Sequence, residues 1–322
     1  MDGKKDLRIV FFGTPEFAVE SLKRLVEGGY NVVAVVTAPD KPAGRGRHLL
    51  QSDVKQYAVS VGLPVLQPEK LKNEEFVAQL RALDAHLNIV IAFRMLPEVV
   101  WAMPPMGTFN LHASLLPKYR GAAPINWAVI NGETTTGVTT FFLKHEIDTG
   151  DIIQQRAVEI GRRDNVEVVY DRLMKIGADM TLETVDALLT GDVKTTPQDS
   201  LLAAGEQPTP APKIFKETCC IDWNNPAEDV YNLVRGLSPY PAAWTTIVGA
   251  DGQEFSLKIF ETDEPQPATG LTPGTISADA KTMRIACADG WLTIKSLQLA
   301  GKKRMEPDAF MRGFSLDSFH CK

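Results

Sequence analysis

Two short segments near the start of the chain are apolar at nearly every position, and this pattern restricts the fold more than any other. They are Leu7–Phe12 (LRIVFF) and Asn31–Thr37 (NVVAVVT). Between them, apolar residues recur at helical spacing from Phe17 to Val26. Strands that are apolar on both faces are typical of parallel sheets covered by helices. A strand–helix–strand order of this kind indicates a right-handed crossover between parallel strands.

The same alternation continues to about residue 190, so we predict a doubly wound, Rossmann-like α/β domain with a parallel sheet. Further strands are predicted at Pro64–Leu66, Asn88–Ala92, Gly107–His112, Gly137–Leu143 and Ile152–Ile160, and helices at Ser52–Val61, Glu74–Leu83 and Val166–Leu189.

Beyond this region, the periodic pattern of apolar residues is lost. Residues 194–213 (KTTPQDSLLAAGEQPTPAPK) show no sustained periodicity and are predicted to form a linker. Beyond them, one helix at Ala227–Leu237 precedes short strand-like runs separated by turns, which are typical of a small β-barrel. We therefore expect two domains, 1–207 and 208–322, the second an OB-like barrel.

Composition excludes several classes of protein. Hydrophobic residues make up 44% of the chain and charged residues 23%, which excludes a disordered chain, and the formal net charge is −6. No apolar run approaches the roughly 18–20 residues that span a bilayer, and the start has no signal-peptide core. The four cysteines form no CxxC pair. We expect a reduced, cytoplasmic protein without a membrane segment.

The sequence around residue 112 carries the clearest chemical signal. Asn110 and His112 lie two positions apart at the end of a predicted strand, so their side chains point the same way. The carboxyl ends of parallel strands face the ligand crevice. An amide and an imidazole there could both address one developing oxyanion, although two polar strand-end residues can equally be satisfied by nearby backbone.

Asp148 favours the catalytic interpretation. It follows the predicted strand Gly137–Leu143, and a carboxylate near His112 would provide the proton acceptor that acyl transfer to an amine requires. Two other acids of this loop, Glu146 and Asp151, are consistent with an ordinary solvated surface.

Four motifs together resemble the folate-dependent formyltransferases. They are Asn110-x-His112, Ser114–Pro117 (SLLP), Arg120–Pro124 (RGAAP) and Asp148–Gly150 (DTG). Further motifs narrow the resemblance to the branch of that family that acts on methionyl-tRNA: Phe12–Phe17, Pro39–Arg47, Ile221–Trp223, Pro239–Ala242, Pro273–Thr275 and Leu297–Lys303.

The resemblance implies formyl transfer from 10-formyltetrahydrofolate to the α-amino group of methionine on initiator tRNA, as in bacterial translation initiation. It implies that Asn110 and protonated His112 donate to the oxyanion, and that Asp148 accepts the amine proton through a water molecule. It implies no metal, in keeping with five histidines that lie far apart in the sequence without HxxxH spacing. No obligate protein partner is expected.

The resemblance also implies binding residues. Ser114, Leu115, Leu116 and Pro117 would line the folate site, and the backbone of Phe93, Arg94, Met95 and Leu96 would bind the pterin. This chain has Phe93-Arg94 where many relatives have Tyr-Gly, and Lys144–Ile147 lacks a glycine that is common before the aspartate. For tRNA, the resemblance implies Lys41, Arg45 and Arg47, with Arg45 at the first base pair of the acceptor stem, and Lys302 and Lys303 as phosphate contacts. Taken in isolation, a basic run of this length is more commonly a solvated surface loop.

Three other functions compete with this interpretation. A sister formyltransferase or hydrolase would act on a small amine or on water, but it would have no use for the 42–47 loop and the 298–303 tail. A non-catalytic RNA-binding protein would not need Asn110, His112 and Asp148. A pyridine-nucleotide dehydrogenase would need a GxGxxG motif, which Gly13-Thr14-Pro15 does not form.

Overall fold

The computed structural model describes residues 3–43, 48–279 and 281–322. The chain divides into two compact units. The first contains residues up to 121 together with 136–158 and 170–211, and the second contains 122–135, 159–169 and 212–322. The chain therefore passes from one unit to the other after residues 121, 135, 158, 169 and 211.

Up to residue 211, the predicted strands and helices are all present, and several shorter elements lie between or after them. They are β1 (Ile9–Gly13), α1 (Glu16–Glu27), β2 (Val32–Val36), β3 (Lys41–Ala43), β4 (His48–Leu50), α2 (Asp53–Ser60), β5 (Val65–Leu66), α3 (Glu74–Ala82), β6 (Leu87–Ile91), α4 (Glu98–Trp101), β7 (Thr108–His112), β8 (Arg120–Gly121), α5 (Pro124–Ile130), β9 (Thr135–Phe142), β10 (Ile152–Glu159), α6 (Val166–Thr190) and β11 (Pro210–Ala211).

The main sheet of the first unit has the strand order β10-β9-β7-β6-β1-β2-β5. The pairs β1–β2, β1–β6, β2–β5 and β6–β7 are parallel, and β7–β9 is antiparallel. All five residues of β1 and all five of β6 are buried. This burial on both faces explains why these strands are apolar throughout. The predicted α/β class is confirmed, with an antiparallel neighbour of β7 that the sequence pattern does not reveal.

The elements after residue 211 all belong to the second unit, which also contains α5. They are α7 (Ala227–Leu237), β12 (Ala243–Val248), β13 (Glu254–Thr262), β14 (Gln266–Pro267), β15 (Ile276–Ala278), β16 (Met283–Ala286), β17 (Gly290–Leu299), α8 (Pro307–Met311) and β18 (His320–Cys321). Six strands follow the order β15-β16-β17-β13-β12-β18, and β14 pairs with β17.

This second sheet nearly closes into a barrel. Thr275, next to β15, forms an antiparallel bridge with His320 of β18, so the two ends of the strand order meet. The strands alternate between buried and outward positions, with Ile247, Leu257 and Leu292 fully buried. Alternation of this kind is what a barrel with a packed interior requires. The predicted C-terminal β-barrel is confirmed.

The segment predicted to be a linker contains regular structure. Thr196 forms an antiparallel bridge with Ile152, a 3-10 helix spans Gln198–Leu201, and β11 pairs in parallel with β8. These elements are too short to carry a periodic pattern, and their hydrogen-bond partners lie far away in the sequence. No helix among the described residues is long and apolar enough to cross a bilayer.

Candidate active site

His112 ends β7 and is almost fully buried, with 7% of its surface exposed. Its Nε2 atom lies 2.8 Å from the backbone carbonyl oxygen of Tyr119. A carbonyl only accepts hydrogen bonds, so Nε2 carries a hydrogen and donates it there. The contact therefore fixes the orientation of the ring and leaves Nδ1 as the ring nitrogen that this carbonyl does not bind.

Asp148 lies in the loop between β9 and β10 and faces His112. The distance between His112 Nδ1 and Asp148 Oδ2 is 3.9 Å, which is an ion-pair distance but is longer than a direct hydrogen bond. The same Oδ2 atom accepts a hydrogen bond of 3.0 Å from the backbone N–H of Gly121. The carboxylate thus has one fixed backbone donor and one neighbouring imidazole.

Asn110 lies two residues before His112 on β7, on the same face of the strand. It is half-buried, and its side-chain amide makes no hydrogen bond to the residues that the structure describes. The amide N–H groups therefore remain available for a substrate.

The loop after β7 is held by a compact hydrogen-bond network. Thr139 Oγ1 donates to the carbonyl of Ser114 (2.6 Å) and accepts from the N–H of Leu116 (3.1 Å), and Gln155 Nε2 donates to the Leu116 carbonyl (2.7 Å). The Ser114 hydroxyl donates to the carbonyl of Lys118. The side chains of Ser114 and Leu116 are buried, with 0% and 1% exposed. Ser114 and Leu116 therefore expose almost no surface to a ligand, whereas Leu115 between them is only half-buried.

The segment after β6 has a different character. The Phe93 ring packs edge-on against Phe12, and Leu96 is buried, whereas 71% of Met95 is exposed. Arg94 donates to the carbonyls of Glu69 (2.7 Å) and Pro68. Its guanidinium is thus bound to a neighbouring loop of the same unit.

The residues predicted to bind tRNA fall in two places. Lys41 is exposed on β3, which pairs antiparallel with β4, whereas Arg45 and Arg47 lie outside the described residues. Lys302 and Lys303 are exposed in the turn after β17. Lys41 belongs to the first unit, and Lys302 and Lys303 belong to the second.

The stem of the β3–β4 hairpin begins at Asp40, which is held by two side chains. Lys55 Nζ lies 2.6 Å from one carboxylate oxygen, and Gln67 Nε2 donates to the other at 2.7 Å. These hydrogen bonds, from Lys55 first and then Gln67, lower the pKa of Asp40.

Sequence reasoning missed Gln198. Its Nε2 atom donates to the carbonyls of Asp148 and Gly150, both at 2.8 Å, and its Oε1 atom accepts from Arg120 at 2.8 and 3.0 Å. Arg120 belongs to the RGAAP motif. Gln198, however, is a single glutamine in a segment without periodicity, and no sequence signal could have identified it. Among the described residues, no three His, Cys, Asp or Glu side chains form a group able to hold a metal ion.

Comparison with known proteins identifies the family. Residues 7–185 match the formyl transferase family model, and residues 213–315 match the model of the formyl transferase C-terminal domain. The methionyl-tRNA formyltransferase of Bacteroides fragilis is 61% identical over 321 residues, covering 99% of each chain. That of Phocaeicola vulgatus is 63% identical over 313 residues, covering 97% of each.

The chain belongs to the methionyl-tRNA formyltransferase family. Two solved structures share the fold at low sequence identity. HypX from Aquifex aeolicus, solved in complex with tetrahydrofolic acid, has a TM-score of 0.61 at 21% identity. That match covers 96% of this chain, which spans about half of HypX (47%). WlaRD, a sugar 3N-formyl transferase, has a TM-score of 0.61 at 17% identity, covering 92% of this chain and 99% of WlaRD.

Proposed function

We propose that this protein transfers a formyl group from 10-formyltetrahydrofolate to the α-amino group of methionine on initiator methionyl-tRNA. Membership of the methionyl-tRNA formyltransferase family supports the reaction and the acceptor. The observation that carries the proposal is the position of the Asp148 carboxylate, 3.9 Å from the His112 ring at the end of β7. A base beside an imidazole is the pair of groups that acyl transfer to an amine needs.

The proposed reaction forms one C–N bond and breaks another. The uncharged α-amino nitrogen attacks the formyl carbon, and the formyl oxygen becomes an oxyanion. The amine loses one proton, and the folate nitrogen that leaves gains one, so no proton is consumed overall. The chain must therefore stabilise an oxyanion and move a proton from one nitrogen to the other.

Asn110 and His112 act on the oxyanion. Because Nε2 of His112 already donates to the Tyr119 carbonyl, the hydrogen offered to the oxyanion is the one on Nδ1. The half-buried amide of Asn110 supplies a second donor from the same face of β7. In acyl-transfer enzymes, one such donor contributes about 3–4 kcal/mol to stabilisation of the transition state.

Asp148 acts on the proton. Its Oδ2 atom is held by the Gly121 N–H, and the gap of 3.9 Å to His112 is too long for direct transfer between them. We assign to Asp148 the acceptance of the amine proton through a water molecule, and the return of a proton to the folate nitrogen.

Binding is assigned to the two predicted domains, the folate to 1–207 and part of the tRNA to 208–322. The folate contacts are those of Phe93, Arg94, Met95, Leu96 and of Ser114, Leu115, Leu116, Pro117. Because Ser114 and Leu116 are almost fully buried, we assign them the support of the loop at the folate site. The tRNA contacts are those of Lys41, Arg45, Arg47, Lys302 and Lys303.

The experiment that tests the function compares acceptors. The full-length protein and 10-formyltetrahydrofolate are incubated with charged initiator tRNA, charged elongator tRNA, free methionine or buffer alone, and both formylated product and free formate are measured. We expect formylation of the charged initiator tRNA to exceed all other reactions by orders of magnitude. Faster formylation of a small amine, or release of formate without an acceptor, would instead support the sister-enzyme or hydrolase function.

A further inference from the structure

Gln198, the first residue of the 3-10 helix Gln198–Leu201, is buried to an extent that is unusual for a glutamine, with 2% of its surface exposed. A primary amide offers two N–H donors and one oxygen that accepts two hydrogen bonds. All four are used: the two donors go to the carbonyls of Asp148 and Gly150, and the oxygen accepts twice from Arg120. The amide therefore has a single orientation, which Arg120 determines.

Both N–H groups of Gln198 donate to backbone carbonyls of the loop that carries Asp148, the proposed proton acceptor. Asp148 has a backbone φ of +56°, a left-handed conformation that residues with a side chain seldom adopt without local support. Two positions later, Gly150 lies so close to β9 that a Cβ atom there would come within 1.5 Å of the Phe142 carbonyl oxygen. Gln198 thus binds the loop on both sides of Thr149. One bond goes to a residue in the left-handed conformation, and the other goes to a glycine that has no room for a side chain.

We call residues 196–211 the bridging segment. Besides the contacts of Gln198, this segment binds the residues that hold the His112 ring and the Asp148 carboxylate. The Thr209 carbonyl accepts a hydrogen bond of 2.6 Å from the N–H of Tyr119, whose own carbonyl holds the His112 ring. β11 pairs with β8, which contains the Gly121 N–H that binds the Asp148 carboxylate. One stretch of chain therefore supports both the imidazole and the carboxylate.

We propose that Gln198 is a positioning residue for Asp148, and that Arg120 and the bridging segment set the distance between Asp148 and His112 in the formyl transfer reaction. This inference rests on the proposed function, because it assigns Gln198 a role through the acid of that reaction. Gln198 itself touches neither the reacting atoms nor His112. Its loss should lower kcat and leave KM for folate and tRNA nearly unchanged.

The variant Gln198→Glu separates positioning from general support of the fold. A glutamate retains an oxygen that accepts from Arg120, so the contact between the bridging segment and Arg120 survives. A carboxylate has no N–H to donate, so both bonds to the loop are lost and carbonyl oxygens face a negative charge. Gln198→Met, of similar length, removes all four hydrogen bonds. Asn126→Leu is a matched control, because Asn126 donates a side-chain amide bond to the Gly236 carbonyl in the other unit.

We expect both Gln198 variants to lower kcat by roughly 10- to 100-fold, the loss that small misplacements of catalytic groups produce. In a background of Asp148→Asn the same changes should cost less than about 2-fold, because the residue through which Gln198 acts is already disabled. An undiminished loss in that background, or a loss that simply follows a lower melting temperature, would overturn the inference. The Asn126→Leu variant should retain the wild-type kcat.

A second readout needs no acceptor substrate. The ring ¹H–¹⁵N NMR signals of His112, assigned with a His112→Asn variant, should shift in Gln198→Glu and stay in place in Asn126→Leu. If the wild-type protein failed to formylate initiator methionyl-tRNA while these signals shifted as expected, the proposed acceptor would be wrong and the positioning role would stand. If it formylated the tRNA while Gln198→Glu left both kcat and the His112 signals unchanged, the positioning role would be wrong and the function would stand.

Discussion

The His112 ring and the Asp148 carboxylate face each other across 3.9 Å, and each is fixed by a backbone group: the ring by the Tyr119 carbonyl at Nε2, and the carboxylate by the Gly121 N–H at the same Oδ2 atom that faces the ring. Two groups that are fixed separately cannot relax toward each other. A distance that is too long for a direct hydrogen bond is therefore maintained between them.

Asp148→Asn should lower kcat by roughly 100- to 1000-fold with little change in stability, because it removes the charge and the proton acceptor but keeps the volume. The Gly121 N–H would still find an oxygen on the amide. Steady-state formylation of charged initiator tRNA measures the effect. The control is Asp151→Asn, in the same loop, where the carboxylate is paired with Lys144. Equal turnover in the two variants would remove Asp148 from the mechanism.

Arg45→Ala should raise KM for initiator tRNA about tenfold or more and leave KM for 10-formyltetrahydrofolate unchanged. Lost phosphate or base-pair contacts of one arginine are of this order. For the wild-type protein, tRNA binding should weaken steeply with added salt, because a chain of net charge −6 depends on local cations to hold a polyanion. Arg81→Ala, an exposed change on α3, is the control. Equal tRNA kinetics in the two variants would exclude the loop from recognition.

The second unit should lose stability in acid. Arg162 binds both carboxylate oxygens of Glu228, at 2.7 Å for Nη2–Oε2, and Arg163 lies 3.0 Å from Glu264. These bonds, from Arg162 and from Arg163 respectively, lower the pKa values of Glu228 and Glu264. A lowered carboxyl pKa stabilises the folded state above the unfolded pKa of about 4.3, and that contribution is lost as pH falls through the folded pKa.

Glu228→Gln should therefore lower the melting temperature at neutral pH and flatten its decline between about pH 5 and 3. The loss of stability should be small, about 1 kcal/mol or less, because the side chains of Arg162 and Glu228 are both 46% exposed. Thermal melts of the wild type, of Glu228→Gln and of the exposed control Glu217→Gln measure this. A decline with pH as steep in Glu228→Gln as in the wild type would contradict the assignment.

One thiol should react in the native protein and four in denaturant. Cys219, Cys287 and Cys321 are buried and Cys220 is exposed. Burial raises the pKa of Cys287 and of Cys321 to about 12, so neither forms appreciable thiolate at neutral pH. Titration with Ellman's reagent counts the reactive thiols, and Cys220→Ser should abolish the native reaction. Rapid modification of a second thiol would show that the barrel opens.

The sequence predicts the longer elements well because each buries one face or both. The buried strand β1 and the long helix α6 fall within a few residues of their predicted bounds. The prediction that Asn110, His112 and Asp148 lie together depends on the strand order and on the path of the loop. The spacing of the three residues in the sequence does not establish it. What escapes prediction is short and set by partners far along the chain, such as the two-residue pairing of β8 with β11 and the amide of Gln198. No local pattern encodes a glutamine whose four hydrogen bonds reach residues at least 48 positions away.

The pairing of β8 with β11 has a consequence for how this protein can be recombined with its relatives. Composition suggests a domain border near residue 207. A junction placed there would pair Arg120 and Gly121 of β8 with a β11 strand from the relative, and the relative would also supply the residue whose carbonyl accepts from the Tyr119 N–H. Hybrids that take their C-terminal portion from a relative should keep the native catalytic rate only when the junction lies after Ala211. Thr209 and β11 then come from the same protein as Tyr119 and β8.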